Sequence, residues 1–498
     1  MSIINFLHRK ERTMKKTREL FRIISILFLL ILFCGVSVFA QKGPRDKFVF
    51  SPLNPIKMPK VETVNLKNGL KLFLVEDHEY PTIDMRAMVH ARSVFEPASK
   101  IGLASITGQV LRTGGTTSMT GDEIDKELET LAATVSTGIG RGSGYITVSV
   151  LKEDVDRALE ILADILMNPA FQEDKIRLAK IQGKTAISRR NDEIMQIASR
   201  EFEKLIYGKD SPYARHAEYA TIEAITREDI VDFYKKSFYP NNTIMTVWGD
   251  FKHKDIVAKI KKTLGKWKAA KVKIPPMPKI DYEYKYTVNF IDKPDVNQSN
   301  ILIGHIGGLR KNPDFPALSV MNSILSFERM FKKIRTDEGL AYAVWGSYEA
   351  NYLIPGVFSS GAQTKSESTV YAIELMLKEL KRITEEEVSD EELAKAKDRY
   401  LNSYVFNFDS RAKIVNRLMT YAFFGYPLDF MDRVKKGVEK VTKKDVLRVA
   451  KKYLRPDKVQ ILVVGKKEDF DKPLTALGEV NVIDIKIPSL KPKKKTGK

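Results

Sequence analysis

The feature that most constrains this fold is an internal repeat. Residues 225–249 align without a gap to residues 441–465, a constant offset of 216, and Thr226, Asp229, Lys235, Lys236, Pro240, Val247 and Gly249 are identical to their counterparts. The physics repeats with the letters. Thr226 with Asp229, and Thr442 with Asp445, form capping pairs that start a helix, a proline then ends it, and an apolar strand follows. Residues 158–166 and 372–380 match similarly at an offset of 214, both as amphipathic helices. Between the copies, Pro275, Pro276 and Pro278 stand in a segment that continues neither helix nor central strand. The chain therefore divides into a first half over 60–265, a linker over 266–286 and a second half over 287–470. A lead-in over 41–59 precedes them and a basic tail over 471–498 follows.

Within the first half the patterns predict strands over 72–76, 82–91 and 144–151. Helices are predicted over 101–113, 120–133, 155–167, 173–189 and 194–205. Residues 145–150 alternate apolar and polar, which favours antiparallel sheets covered by helices on one face. The expected fold class is α+β: two homologous halves, each a mainly antiparallel sheet with helices on one face, forming a clamshell.

Of 498 residues, 43% are hydrophobic and 29% charged, a balance that excludes disorder along the whole chain and a multi-span membrane protein. The net charge of +20 is dispersed, and no nucleic-acid-reading module is present, so no nucleic-acid partner is expected. Seven basic residues lie in 1–40, all ahead of an apolar run over 23–33, and the segment ends Val38-Phe39-Ala40. This reads as a secretory signal cleaved after Ala40, with an uncleaved anchor as the alternative; either way the body is exported, to the periplasm or another extracytoplasmic space. An anchor or the lysines from Lys491 onward would also allow contact with a membrane surface. The single cysteine, Cys34, lies inside the signal, so the exported body has no disulfide and no thiolate ligand. Of the six histidines (His8, His78, His90, His216, His253, His305), no two are three or four residues apart. His78 sits among Glu76, Asp77 and Glu79 in what reads as a solvated turn, and His305 in an apolar strand.

Several segments together resemble the insulinase and pitrilysin family of zinc peptidases, in its two-repeat branch that includes the mitochondrial processing peptidase. They are Gly102-Leu103-Ala104, Asn168-Pro169-Ala170-Phe171, Tyr239-Pro240, Leu454-Arg455-Pro456 and Gly339-Leu340-Ala341-Tyr342. In that family the first of these opens a helix bearing H-x-x-E-H, whose histidines bind zinc and whose glutamate activates water; a later glutamate completes the ligands. The matching positions here are Ser105, Gly108 and Gln109, with the later carboxylate falling at Thr185 or Ala186. The resemblance thus implies a degenerate zinc site and no metal held by this chain. It also implies that Arg335 and Tyr342 are the family's arginine–tyrosine element, which holds the substrate main chain and steadies the oxyanion. Val135, Ser136, Thr137 and Gly138 correspond to the strand whose edge receives the peptide, although the glycines of 133–144 weaken it as a strand. The function implied is a non-catalytic subunit of an exported peptidase heterodimer. Its partner would carry H-x-x-E-H and the zinc, and unfolded peptide would be the substrate. A scaffold or peptide-binding protein of the same fold is the alternative.

Overall fold

The computed structural model describes residues 58–489, all within one compact unit. The signal over 1–40, with His8 and Cys34, and the lysines from Lys491 lie outside the described residues. In the first half, β1 (Glu62–Asn65), β2 (Lys71–Glu76), β3 (Thr82–Val89), β4 (Thr134–Ile139), β5 (Gly144–Leu151) and β6 (Thr243–Gly249) form one sheet. Its order is β1-β2-β6-β3-β5-β4, antiparallel except between β2 and β6. The second sheet reads β14-β7-β13-β8-β12-β10, from β7 (Thr287–Asp292), β8 (Gln298–Ile306), β10 (Ala341–Tyr348), β12 (Val357–Lys365), β13 (Gln460–Gly465) and β14 (Val480–Val482). A small pair, β9 (Gly308–Leu309) and β11 (Ala350–Asn351), lies beside it. The repeat is visible in the strands: β7 begins 216 residues after β2 and β8 begins 216 after β3, while β13 ends 216 after β6.

Helices cover one face of each sheet. The first half supplies α1 (Leu103–Thr113), α2 (Gly121–Thr130), α3 (Val155–Met167), α4 (Glu173–Ser188), α5 (Ile194–Tyr207), α6 (Tyr219–Glu223), α7 (Arg227–Ser237) and α8 (His253–Lys262). The second supplies α9 (Phe315–Ser323), which runs on as a wide helix over Ile324–Asp337, then α10 (Thr369–Glu385), α11 (Asp390–Tyr404), α12 (Arg411–Phe424), α13 (Phe430–Lys440) and α14 (Lys443–Tyr453). The capping pairs read from sequence are formed. Thr226 Oγ1 accepts from Asp229 N at 3.3 Å and Thr442 Oγ1 from Asp445 N at 3.2 Å, and each aspartate accepts the threonine amide in return.

One feature escapes the sequence patterns. Helix α5 packs not on its own sheet but on the second one, placing Ile197, Ala198, Phe202 and Ile206 against Ile291, Leu302, Leu462 and Val464. Its repeat partner α12, which begins 217 residues later, does the reverse: Val415, Met419 and Phe423 close over Phe73, Val75 and Met88 of the first sheet. Thr246 Oγ1 also donates to Asn416 Oδ1 at 3.0 Å across this contact. Each half thus covers the second face of the other's sheet. The linker is tied down as well, since Tyr213 Oη donates to Pro278 O at 2.6 Å while Met277 and Ile280 pack beside Tyr207 and Tyr213. The fold joins the halves by exchanged cores, so apolar burial, more than linker stiffness, holds them together.

Candidate functional site

Helix α1 begins where Gly102 turns the backbone to φ +106°, and a β-carbon there would stand 2.6 Å from Ile222 Cδ1. The positive φ favours glycine, whereas the Ile222 methyl is the end of a side chain that can move aside. The first helical amides are satisfied by Glu96, whose Oε2 accepts from Ala104 N at 2.9 Å. Burial raises the Glu96 pKa, while hydrogen bonds from the Ala104 and Gly102 amides pull it down. Neither this cap nor its partner Arg215, which donates to Glu96 O, carried a sequence signal, because eight and 119 residues separate the groups.

From α1, Ser105 and Gln109 project at the border of two clefts. One, about 550 Å³, lies between α1, α4 and the segment before α6, and is also lined by Gln182, Ala186, Arg190 and His216. The other, about 670 Å³, lies between α1, α2 and β4. The fold therefore brings Ser105, Gln109 and Ala186 to one place. Gln109 Nε2 donates to Gln182 Oε1 at 2.6 Å, an amide pair beside the exposed Ala186. Gln182, one helical turn before Ala186, was missed although that spacing puts it on the same face. A hydroxyl, two amides and a methyl, with His216 as the single imidazole lining the cleft, do not make up the three imidazole, thiolate or carboxylate ligands that zinc takes.

Gly108 faces the other way. A β-carbon there would lie 2.6 Å from Ile139 N and 2.7 Å from Gly138 Cα, so β4 is seated directly on the helix backbone. Thr137 Oγ1 fastens it by donating to Gly108 O at 2.6 Å. The position matching the family's general base is occupied by the main chain of β4.

Strand β4 forms despite its glycines. Gly138 is paired with Tyr145 across the β4–β5 hairpin, and the tyrosine ring lies where a Gly138 side chain would be. An aromatic ring laid over a strand glycine restores the packing that the glycine lacks. At the turn Gly140 N donates to Ser143 O at 2.9 Å and Arg92 Nε to Gly142 O at 2.9 Å. β4 is the last strand of its sheet. Val135 is buried, Ser136 exposed and Thr137 half-buried, and all three line the 670 Å³ cleft with Gly138, Arg112, Asp125 and Glu129.

The second half carries Arg335 near the end of the wide helix and Tyr342 at the start of β10, joined by a turn in which Gly339 adopts φ +64°. The fold brings the two side chains together. The Arg335 guanidinium lies 5.7 Å from the Tyr342 ring centre and 4.9 Å from that of Phe331. Tyr342 is 78% exposed, and among the described residues neither group has a hydrogen-bond or ion-pair partner. Both polar ends are free to meet a ligand. β10 is the edge strand equivalent to β4, so this element and the degenerate cleft occupy corresponding places in the two halves.

The described histidines do not converge on one site, and the buried His216 Nε2 has no hydrogen-bond partner. His78 Nδ1 bonds Asp250 Oδ1 at 2.6 Å, and Glu76 Oε1 accepts the His253 backbone N–H at 2.7 Å with the ring Nδ1 2.9 Å away. His90 stacks on Phe423 with ring centres 3.8 Å apart, and burial, with Arg92 beside it, lowers its pKa to about 4. Burial likewise takes His216 and His305 to about 4. His305, fully buried, donates from Nδ1 to Ile306 O at 2.7 Å and accepts Arg455 N–H at Nε2 at 3.2 Å, a fully used neutral ring. Among the described residues no three His, Cys, Asp or Glu side chains converge where a metal ion could sit, and no helix is long and apolar enough to cross a membrane.

Comparison with known proteins gives a consistent picture. Residues 72–210 match the family model for insulinase (peptidase family M16), and residues 224–400 that for the peptidase M16 inactive domain. The chain is 28% identical over 341 residues to an uncharacterized zinc protease of Rickettsia felis, covering 67% of this chain and 80% of that one. It is 23% identical over 450 residues to the non-peptidase homolog YmxG of Helicobacter pylori, covering 89% and 99%. Among solved structures, a peptidase M16 inactive domain from Pseudomonas fluorescens superposes with a TM-score of 0.72 at 25% identity, covering 83% of this chain and 99% of that one. The periplasmic protease PqqL of Escherichia coli shares the fold, with a TM-score of 0.66 at 14% identity over 86% of this chain and 49% of that one.

Proposed function

Because this chain belongs to the insulinase (M16) peptidase family, we propose that it is a non-peptidase member serving as one subunit of an exported zinc peptidase heterodimer. A partner bearing H-x-x-E-H supplies the zinc and the water-activating glutamate, and this chain supplies Arg335 and Tyr342 together with part of the peptide chamber. The observation that carries the reading is a pairing of opposites within one fold. The zinc positions have lost every ligand type, and Gly108 is closed against β4, while Arg335 and Tyr342 stand together, exposed and without polar partners. A guanidinium and a phenol held in advance are donors whose bonds strengthen as negative charge develops on a tetrahedral intermediate. The open edge of β4, from Val135 to Gly138, is the place for an extended peptide to add as a strand, bound through main-chain groups irrespective of its sequence. Export rests on the segment over 1–40.

The test is reconstitution. The purified chain should not cleave unfolded peptides, and mixing it with an H-x-x-E-H relative encoded beside it should give turnover that either protein alone lacks. Peptide hydrolysis by the solitary chain would overturn the proposal. A scaffold role is the second reading, favoured by the likeness to a relative named as a non-peptidase homolog. Arg335→Ala separates the two: a complex that assembles but no longer turns over supports the subunit role, and unchanged turnover supports the scaffold.

A further inference from the structure

We infer that the buried Arg329 is a positioning residue, which sets the winding of the helix over Ile324–Asp337 and so the direction in which Arg335 is presented to Tyr342. The inference rests on the proposed function only for its consequence in catalysis. This helix is wound with i→i−5 hydrogen bonds for 14 residues, an arrangement usually confined to single turns and often found at functional sites. Such a winding needs side chains that hold it, and two contacts do so. On one side Leu325 and Met330 press on β10 at Gly346, where a β-carbon would stand 2.8 Å from Leu325 Cγ. On the other, Arg329 is 2% exposed and donates from Nη2 to Glu392 Oε2 at 3.2 Å, while Nε stands 2.9 Å from Oε1 as an ion pair without hydrogen-bond geometry. Its Nη1 also faces the buried Glu379 Oε2 at 3.8 Å. A buried arginine facing two carboxylates on two helices, α10 and α11, fixes both the rotation and the depth of the segment that bears it.

Geometry gives the consequence. A wide helix turns about 18° less per residue than an α-helix, so rewinding the six residues from Arg329 to Arg335 would swing Arg335 roughly 110° about the axis. Arg335 would then leave the Tyr342 ring, and the two donors would no longer converge on one ligand. The wide helix is thus a two-state presenter, and Arg329 with its carboxylates selects the state.

The experiment places 3-fluorotyrosine at position 342 of the full chain and compares wild type, Arg329→Met, Arg335→Ala and the double variant. Methionine fills much of the arginine volume but leaves the Glu379 and Glu392 carboxylates facing no Arg329 cation, so the thermal midpoint should fall by several degrees, and the variants are compared at a temperature at which all of them are folded. The fluorine resonance in Arg329→Met should move towards that of Arg335→Ala. In the complex with an H-x-x-E-H partner, Arg329→Met should lower turnover by about tenfold or more with assembly intact, and should add no loss in the Arg335→Ala background. If Arg329→Met does not fold, Glu379→Gln, of equal shape, is read in the same two ways. A fluorine signal unchanged from wild type in a folded variant, or turnover losses that simply add, overturns the inference. If wild type gives no turnover with any partner, the proposed function fails while the fluorine reading still decides this one.

Discussion

Building H-x-x-E-H onto helix α1 should not create a peptidase, and the reason is Gly108. A β-carbon at that position meets Ile139 N at 2.6 Å and Gly138 Cα at 2.7 Å, against ordinary contacts beginning near 3.4 Å. Gly108→Ala therefore requires β4 to retreat by most of an ångström, with loss of the 2.6 Å bond from Thr137 Oγ1 to Gly108 O. Overpacking of this kind costs about 1–3 kcal/mol and the lost bond about 1, while alanine's better helix propensity returns about 1, leaving a net loss of about 1–3 kcal/mol. Urea unfolding measures the loss, and amide exchange along 134–139 locates it. The functional form of the test compares Ser105→His/Gln109→His/Ala186→Glu with the same variant plus Gly108→Glu. The first adds ligands where the cleft has space and should bind zinc without hydrolysing peptide. The second should lose stability and still not hydrolyse, because a glutamate rooted under β4 displaces the strand that would present the substrate. An alanine variant as stable as wild type, or a quadruple variant that cleaves peptide alone, would refute the reasoning.

Further expectations concern other parts of the molecule. Tyr342→Phe, at a side chain 78% exposed, should leave the unfolding midpoint within about 0.5 kcal/mol of wild type, yet lower turnover of the reconstituted complex by about 10²-fold or more if its phenol meets the oxyanion. Acid should destabilise the fold through its buried neutral histidines. His305 stays neutral down to about pH 4, whereas in the unfolded chain it gains its proton near 6.5. The unfolded state thus binds more protons between those values, and stability falls as pH drops from about 6.5 to 4, by about 3 kcal/mol for this ring at most. His305→Gln should flatten that slope in urea titrations at pH 7 and pH 5, and an unchanged slope would count against the assignment. Met419→Ala, in the helix α12 that covers the first sheet, should cost about 2–5 kcal/mol and increase amide exchange in β2 and β3 of the other half. Exchange confined to the second half would contradict the exchanged-core picture.

Much of this was legible in the sequence. The 216-residue repeat, the capping pairs at Thr226 and Thr442, and the strand over 144–151 rest on local chemistry, and the structure has them where the letters put them. That positions 105 and 109 carry a serine and a glutamine and no imidazole is likewise read from the letters alone. Strand β4 was harder to read: its glycines argue against a strand, and only the Tyr145 ring across the hairpin shows why it forms. The crossing of α5 and α12 to the opposite sheets left no trace in periodicity, because an apolar helix face looks the same whichever sheet it covers. The closing of β4 on Gly108, the Gln109–Gln182 pair and the anchoring of Arg329 by Glu379 and Glu392 join residues 29 to 73 positions apart. Sequence by itself determined which side chains stand at the positions matching the family's zinc motif and that the chain is built from one unit used twice, because composition and short-range order fix those. Tertiary structure alone decided that β4 closes over Gly108 and that Arg335 meets Tyr342, because contacts between distant segments depend on packing, which no local pattern records.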